Sequence, residues 1–172
     1  MSQLHHRQKQ DTYATNLLVS LLMRFPEIMS IRFDKPQEQI LFNFLLAGRP
    51  TKEELAGFKA LLKESFAAYA DLSSEKLQFK VVLQSAGKLS ILGIKASTET
   101  LSLEGISLLC GLVCRAFSRK IVRDAETLDA FYDEEMLRQE EIIAYLLNHG
   151  VATNKENLLA FRDAGKVLVY NK

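Results

Sequence analysis

Cys110 and Cys114 are the only thiols in the chain, four residues apart within LSLEGISLLCGLVCRAFSRKIVR, residues 101–123. Such a pair could exchange disulfides or help to hold a metal ion. Redox work wants a thiol whose proton leaves easily, and a closed zinc site wants four ligands. The remaining candidates for a ligand set are His5, His6 and His149, scattered along the sequence. Wound at helical pitch, Ile106, Cys110, Val113, Cys114, Phe117 and Ile121 gather on one side. Both thiols are therefore expected in the core, where burial opposes ionisation and no cation on that face offsets it.

The opposite side of the same helix offers different chemistry. Leu108 and Leu112 lead into Arg115, Arg119 and Arg123, four apart, with Lys120 beside them. Aligned guanidinium groups can neutralise successive phosphates, so this stripe is the lead for RNA or ribosome contact, with Arg7 and Lys9 near the start. The simpler reading is structural: cations near a helix C-terminus offset its dipole, and the acidic segment with Asp124, Glu126, Asp129, Asp133, Glu134, Glu135, Glu140 and Glu141 follows closely enough to fold back on them. Aromatic residues do not interleave with the basic ones, as stacking on single strands would require. Because Leu108 and Leu112 oppose Ile106 and Cys110, the leading half of the helix is apolar all round and needs cover on two sides. The acidic helix or another copy of the protein is expected to give it.

Other chemistry leaves no trace. There is no dinucleotide or phosphate-binding glycine motif, nucleophile elbow, HExxH, CxxC or calcium loop; AGK at 86–88 and at 164–166 is only a fragment of the phosphate loop. His149 closes an acidic helix, where an imidazolium would offset the dipole, and Glu134, Glu135, Glu140 and Glu141 read as a solvated face. No catalytic, cofactor-binding or metal-binding residue is assigned, and no cofactor is expected. The reading leans away from an enzyme.

The elements that would position these residues follow from periodicity. Tyr13, Leu17, Leu18, Leu21, Leu22 and Phe25 keep helical spacing until Pro26 discourages continuation, predicting a helix from about residue 12 to 24. EIMSIRF and QILFNFLLAG alternate around DKPQE as a hairpin, and KLQFKVVLQ and LSILGIKA alternate around SAGK as a second. Between them, Thr51 and Glu54 form a capping box opening a helix, whose stripe is Leu55, Phe58, Leu62, Phe66 and Tyr69. After the cysteine helix comes a long acidic helix ending at Gly150; a short helix, opened by Thr153 and Glu156, runs through Phe161 to Gly165, and KVLVY is a terminal strand. A shift of 48 residues aligns the two hairpin-helix units, Leu55 with Leu103 and Gly57 with Gly105. Any two units covering one sheet would share that pattern.

The expected class is α+β: an antiparallel sheet from two β-hairpins, each followed by a helix, in the order α-ββ-α-ββ-α. Residues 1–11 would be a flexible polar arm, 12–123 the core domain and 124–172 a C-terminal helical extension. With 172 residues, 48% apolar and 25% charged, the chain can bury an ordinary core, and a formal net charge of +1 provides no global field toward nucleic acid or anionic lipid. The start lacks an apolar signal segment, the two cysteines suggest no disulfide scaffold, and residues 101–117 are too short and too charged to span a bilayer, so a cytoplasmic location without membrane contact is expected. The order helix, hairpin, helix, further strands, helix resembles small roadblock-type or longin-type platforms in element sequence, which implies a dimerising scaffold; the C-terminal extension departs from that pattern. The leading functional expectation is a homo-oligomeric adaptor or regulatory subunit working by protein contact. An RNA-associated factor using the basic stripe is the second, and a small-ligand sensor or enzyme with a pocket between sheet and helices the third.

Overall fold

The computed structural model describes residues 2–74, 76–123, 133–149 and 157–171, with side chains of the first helix described from Tyr13 onward. Helix α1 spans Ser2–Arg24 and is followed by strands β1 (Ile28–Asp34) and β2 (Gln39–Ala47), then helix α2 (Lys52–Ser73). A second hairpin, β3 (Phe79–Ala86) and β4 (Leu89–Ser97), leads through a short 3-10 turn to α3 (Leu103–Ala116); α4 (Asp133–Asn148), β5 (Asn157–Asp163) and β6 (Lys166–Asn171) complete the order. The predicted α+β arrangement is present, and the helix opening the chain begins ten residues before the apolar periodicity does. The polar lead contains neither Pro nor Gly, so nothing in it breaks a helix. Among the described residues no helix is long and apolar enough to cross a membrane.

Six strands form one antiparallel sheet in the order β3-β4-β2-β1-β5-β6. The two expected hairpins meet through their second strands, with Phe42 opposite Ile94 and Phe44 opposite Leu92. One expectation fails. The stretch from Asn157 onward is strand β5, not the second half of a short helix, and it pairs with β1, setting Ile31 against Ala160 and Phe33 against Leu158. Thr153 and Glu156, the cap proposed for that helix, lie outside the described residues. Gly165 stops no helix; Ala164 and Gly165, at φ 47° and 76°, form the two-residue loop of a third hairpin. Positive φ at both loop residues matches the twist of the flanking strands. AGK at 86–88 falls at the β3–β4 turn, where Gly87 has φ 65°. Both fragments that faintly resembled a phosphate loop are hairpin turns. The segment expected as an appended extension thus completes the same sheet and lays α4 against α1.

The four described α-helices lie on one face, side by side in the order α2, α3, α4, α1. They cover Ile31 and Phe33 of β1, Ile40, Phe42, Phe44 and Leu46 of β2, and Leu92, Ile94 and Ala96 of β4, each at most 3% exposed. Leu17, Leu18, Leu21 and Leu22 of α1 are buried against the β1-β5-β6 end, while Phe66 of α2 meets Phe79 of β3 with ring centroids 4.4 Å apart. Burying a side chain of this size stabilises by about 1.5–3 kcal/mol, so this layer is the principal source of stability. The predicted capping box opens α2: the Glu54 amide donates to Thr51 Oγ1 at 3.1 Å, and the Thr51 amide to Glu54 Oε2 at 2.8 Å. Arg24 at the end of α1 pairs with Glu140 of α4 at 2.7 Å, tying the C-terminal helix down.

Candidate interaction surfaces

The thiols of α3 lie where the periodicity put them. Cys110 is buried, and its pKa is raised by desolvation first and by the neighbouring Glu27 carboxyl second. Cys114 is half-buried, and contrary to expectation a cation does reach it: Arg123 Nη2 lies 3.2 Å from its sulfur. Burial still outweighs that guanidinium, and the Cys114 pKa is also raised. Both shifts favour the protonated thiol, the weakly nucleophilic form, and the described residues hold no cluster of three or more His, Cys, Asp or Glu able to bind a metal.

The sign of the resulting pH dependence is fixed. In the unfolded chain the thiols ionise near their ordinary value, whereas in the folded chain they keep the proton. Stability is therefore complete below that value and is lost as pH rises toward the folded pKa. Cys110→Ala/Cys114→Ala should cost about 1–3 kcal/mol at neutral pH through lost packing. It should also flatten the decline in stability between about pH 7 and pH 10, as read by urea unfolding. An undiminished alkaline decline in the double variant would show that other groups cause it.

The structure divides the Leu108–Arg123 stripe. Leu112 is 7% exposed and belongs to the core; Leu108 is half-buried at its margin. α3 lies between α2 and α4, so the chain itself supplies most of the cover that an apolar helix demands. Lys120 pairs with Glu54 Oε2 at 2.5 Å, which holds the Glu54 carboxyl below its ordinary pKa, and Arg123 is turned toward Cys114. Arg115 and Arg119 remain exposed. The acidic residues expected to fold back on the stripe between 124 and 132 lie outside the described residues. His149 stands exposed at the end of α4, stacked on Tyr145 at 4.0 Å, with Nδ1 2.7 Å from the Tyr145 carbonyl oxygen.

Two surfaces that the sequence did not reveal are more pronounced. The first is the sheet face opposite the helices. Registry sets Arg32 beside Leu41 and Leu159, Leu41 beside Lys95, and Leu45 beside Ile91, all on that side. Leu41, Leu45, Val82, Ile91, Leu159, Phe161 and Leu168 are half-buried there, although none of the described helices packs on them. Near the centre the Asn43 amide donates to Ser30 Oγ at 3.0 Å. Gly93 is the floor of a shallow cavity of about 390 Å³ edged by Arg32, Asp34 and Lys95. A Cβ at Gly93 would come within 3.1 Å of Leu41 Cδ1, so even Ala would crowd this floor. At the β5-β6 end Phe161 and Tyr170 stack at 5.5 Å with planes 5° from parallel.

The second surface is a groove of about 740 Å³ between α2 and β3. Leu62 and Phe66 of α2, Leu77, and Phe79 and Val81 of β3 make its apolar floor, and four lysines, Lys59, Lys63, Lys76 and Lys80, line it without a single carboxylate. Among the described residues β3 pairs only with β4 and forms one edge of the sheet.

No protein family, curated protein or solved structure matches the chain at a significant level.

Proposed function

We propose that this chain is a non-catalytic interaction protein, an adaptor or regulatory subunit of the cytoplasm, which pairs with a second copy of itself through the uncovered face of its sheet. The observation that carries the reading is that all the described helices cover the same side of the sheet. Sheet faces left to solvent normally carry polar side chains, whereas here leucine, isoleucine, valine and phenylalanine alternate with Arg32, Asn43 and Lys95. Two such faces can stack about 10 Å apart with their side chains interdigitated.

Distribution across the sheet favours a second copy. Lys80 and Lys95 lie on the β3-β4 half, and the Phe161–Tyr170 stack on the β5-β6 half. A two-fold axis along the strands, between β2 and β1, sets the lysines of each protomer over the aromatic rings of the other, an attractive cation–π arrangement repeated by symmetry. A formal net charge of +1 leaves little long-range repulsion between copies.

Sedimentation equilibrium should give twice the protomer mass of 19.5 kDa. Leu41→Glu/Ile91→Glu, which places carboxylates at the centre of the face, should give a folded protomer. A wild type that sediments as a protomer at high micromolar concentration would end the self-association reading.

Nucleic-acid binding through the stripe receives less support, because Lys120 and Arg123 are engaged within the chain. Catalysis is also less supported: the described titratable groups form no constellation of nucleophile, base and orienting partner in either cavity.

A further inference from the structure

We propose that the groove between α2 and the free edge of β3 binds an acidic protein segment in extended conformation, which joins the sheet as an added strand beside β3. This goes beyond self-association through the sheet face and uses a different surface.

Three features meet at the groove. β3 runs for 8 residues, Phe79–Ala86, with β4 on one side and no strand among the described residues on the other. In an antiparallel edge strand, alternate residues turn their N–H and C=O outward, where an extended chain can pair with them. α2 lies alongside without covering this edge. Lys59, Lys63, Ala67 and Ala70 succeed one another at helical spacing along its groove side, and the two alanines leave space above Leu62 and Phe66. An added strand would therefore set alternate side chains into the apolar floor while its backbone completed the β3 ladder.

The lysines decide which chain fits. Lys59 and Lys63 are exposed on α2, Lys76 lies on the approach to β3 and Lys80 on the strand itself; no Asp or Glu lines the groove to balance them. A segment alternating apolar and acidic residues would set its apolar side chains on the floor and its carboxylates on the opposite face of the sheet, beside Lys80, with Lys59, Lys63 and Lys76 adding longer-range attraction. The same lysines disfavour a symmetric pairing of β3 with β3 of a second copy, since each edge would bring like charge to the other. The partner is thus an acidic segment of another protein, not another copy of this edge.

The test uses the full chain and a fluorescent acetylated peptide of alternating Val and Glu, eight residues long, matching the 8 residues of β3. Fluorescence anisotropy should show saturable binding that weakens with salt. A Val–Lys peptide of the same length should not bind. Lys59→Glu/Lys63→Glu, at two exposed helix positions, should weaken binding about tenfold or more by reversing the rim charge.

Methylation of alternate backbone nitrogens in the peptide supplies the strand-specific readout. One methylated phase should lose binding and the other keep it, because only one set of N–H groups faces β3. Equal binding by both phases would mean an amphipathic anion held by charge and grease alone, and would overturn strand addition. An assembly larger than either protein forms alone, appearing on mixing wild type with the Lys59→Glu/Lys63→Glu variant, would name a second copy as the occupant and overturn the proposal too. Lys80 borders both surfaces, so the variants that separate the two proposals are Lys59→Glu/Lys63→Glu, which alters the groove alone, and Leu41→Glu/Ile91→Glu, which alters the sheet face alone.

Discussion

Leu112→Arg should unfold the chain or bring it close to unfolding, whereas Leu108→Arg, one turn earlier on the same helix, should leave it folded. The two leucines belong to one stripe and differ only in what the fold places against them. Leu112 is 7% exposed inside a helix flanked by α2 and α4, and Leu108 is half-buried at the core margin. A guanidinium forced into the Leu112 site loses its hydration without an acidic partner and also removes a packed leucine. An uncompensated buried charge costs about 3–5 kcal/mol, to be set against a total stability of about 5–15 kcal/mol for an ordinary domain. At Leu108 the aliphatic stem can lie along the margin while the charge reaches water, for about 1 kcal/mol or less. Urea unfolding followed by circular dichroism should separate the variants by several kcal/mol. If both remained folded with similar midpoints, neither position would be covered within the protomer, and α3 would again require a second subunit.

That contrast marks how far the sequence could be read. An all-round apolar helix is visible from Ile106, Cys110, Leu108 and Leu112, and so is its need for cover on two sides. Who supplies the cover depends on helix order, which periodicity does not contain. The first two hairpins are legible because polar residues recur at alternate positions in parts of them, Ser30 and Arg32, Asn43, Gln78 and Lys80, and turn residues divide the strands. The third is obscured by Leu158 and Leu159, adjacent apolar residues that suit either a helix or a strand buried on one face and half-buried on the other. Thr153 and Glu156 tipped the balance toward a helix, although FRDAGKVL repeats the LQSAGKLS pattern of the second hairpin. A turn at AGK in both places makes the residues before the second one a strand, β5, paired with the terminal strand that KVLVY predicts. The groove and the open face lay beyond reach for another reason: both are properties of strand order. Nothing local to FKVVLQSA says that it is an edge, and nothing local to Leu41 or Ile91 says that its side of the sheet lacks a helix layer.

Strand order also gives Arg162 its task, and Arg162→Met should be among the most damaging single changes outside the hydrophobic core. The residue belongs to β5, the strand that the periodicity misassigned, and its side chain crosses to the far end of α1. There Nη2 donates to the carbonyl oxygens of Leu22, Phe25 and Ile28, the latter two at 3.3 Å. The last carbonyls of a helix have no intrahelical donor and carry the negative end of its dipole, so a cation at this corner answers both needs. Met keeps much of the length of the side chain and none of its donors. A hydrogen bond from a charged group contributes about 1.5–3 kcal/mol, and Phe25 O retains the Ile28 amide as a second partner, so the expected loss is about 3 kcal/mol rather than the sum over three bonds. In a protein of this size that is a fall in Tm of roughly 6–12 °C. Arg162→Lys should recover only part of it, since an ammonium is a compact point charge that cannot spread over carbonyls belonging to a helix end, a turn and a strand. Amide exchange should quicken first at Phe25 and Ile28, whose hydrogen bonds close the same corner. A Met variant that melts within about 1 °C of wild type would mean that water satisfies these carbonyls as well as the guanidinium does, and the docking of β5 onto α1 would then rest on Leu158 and Ala160 alone.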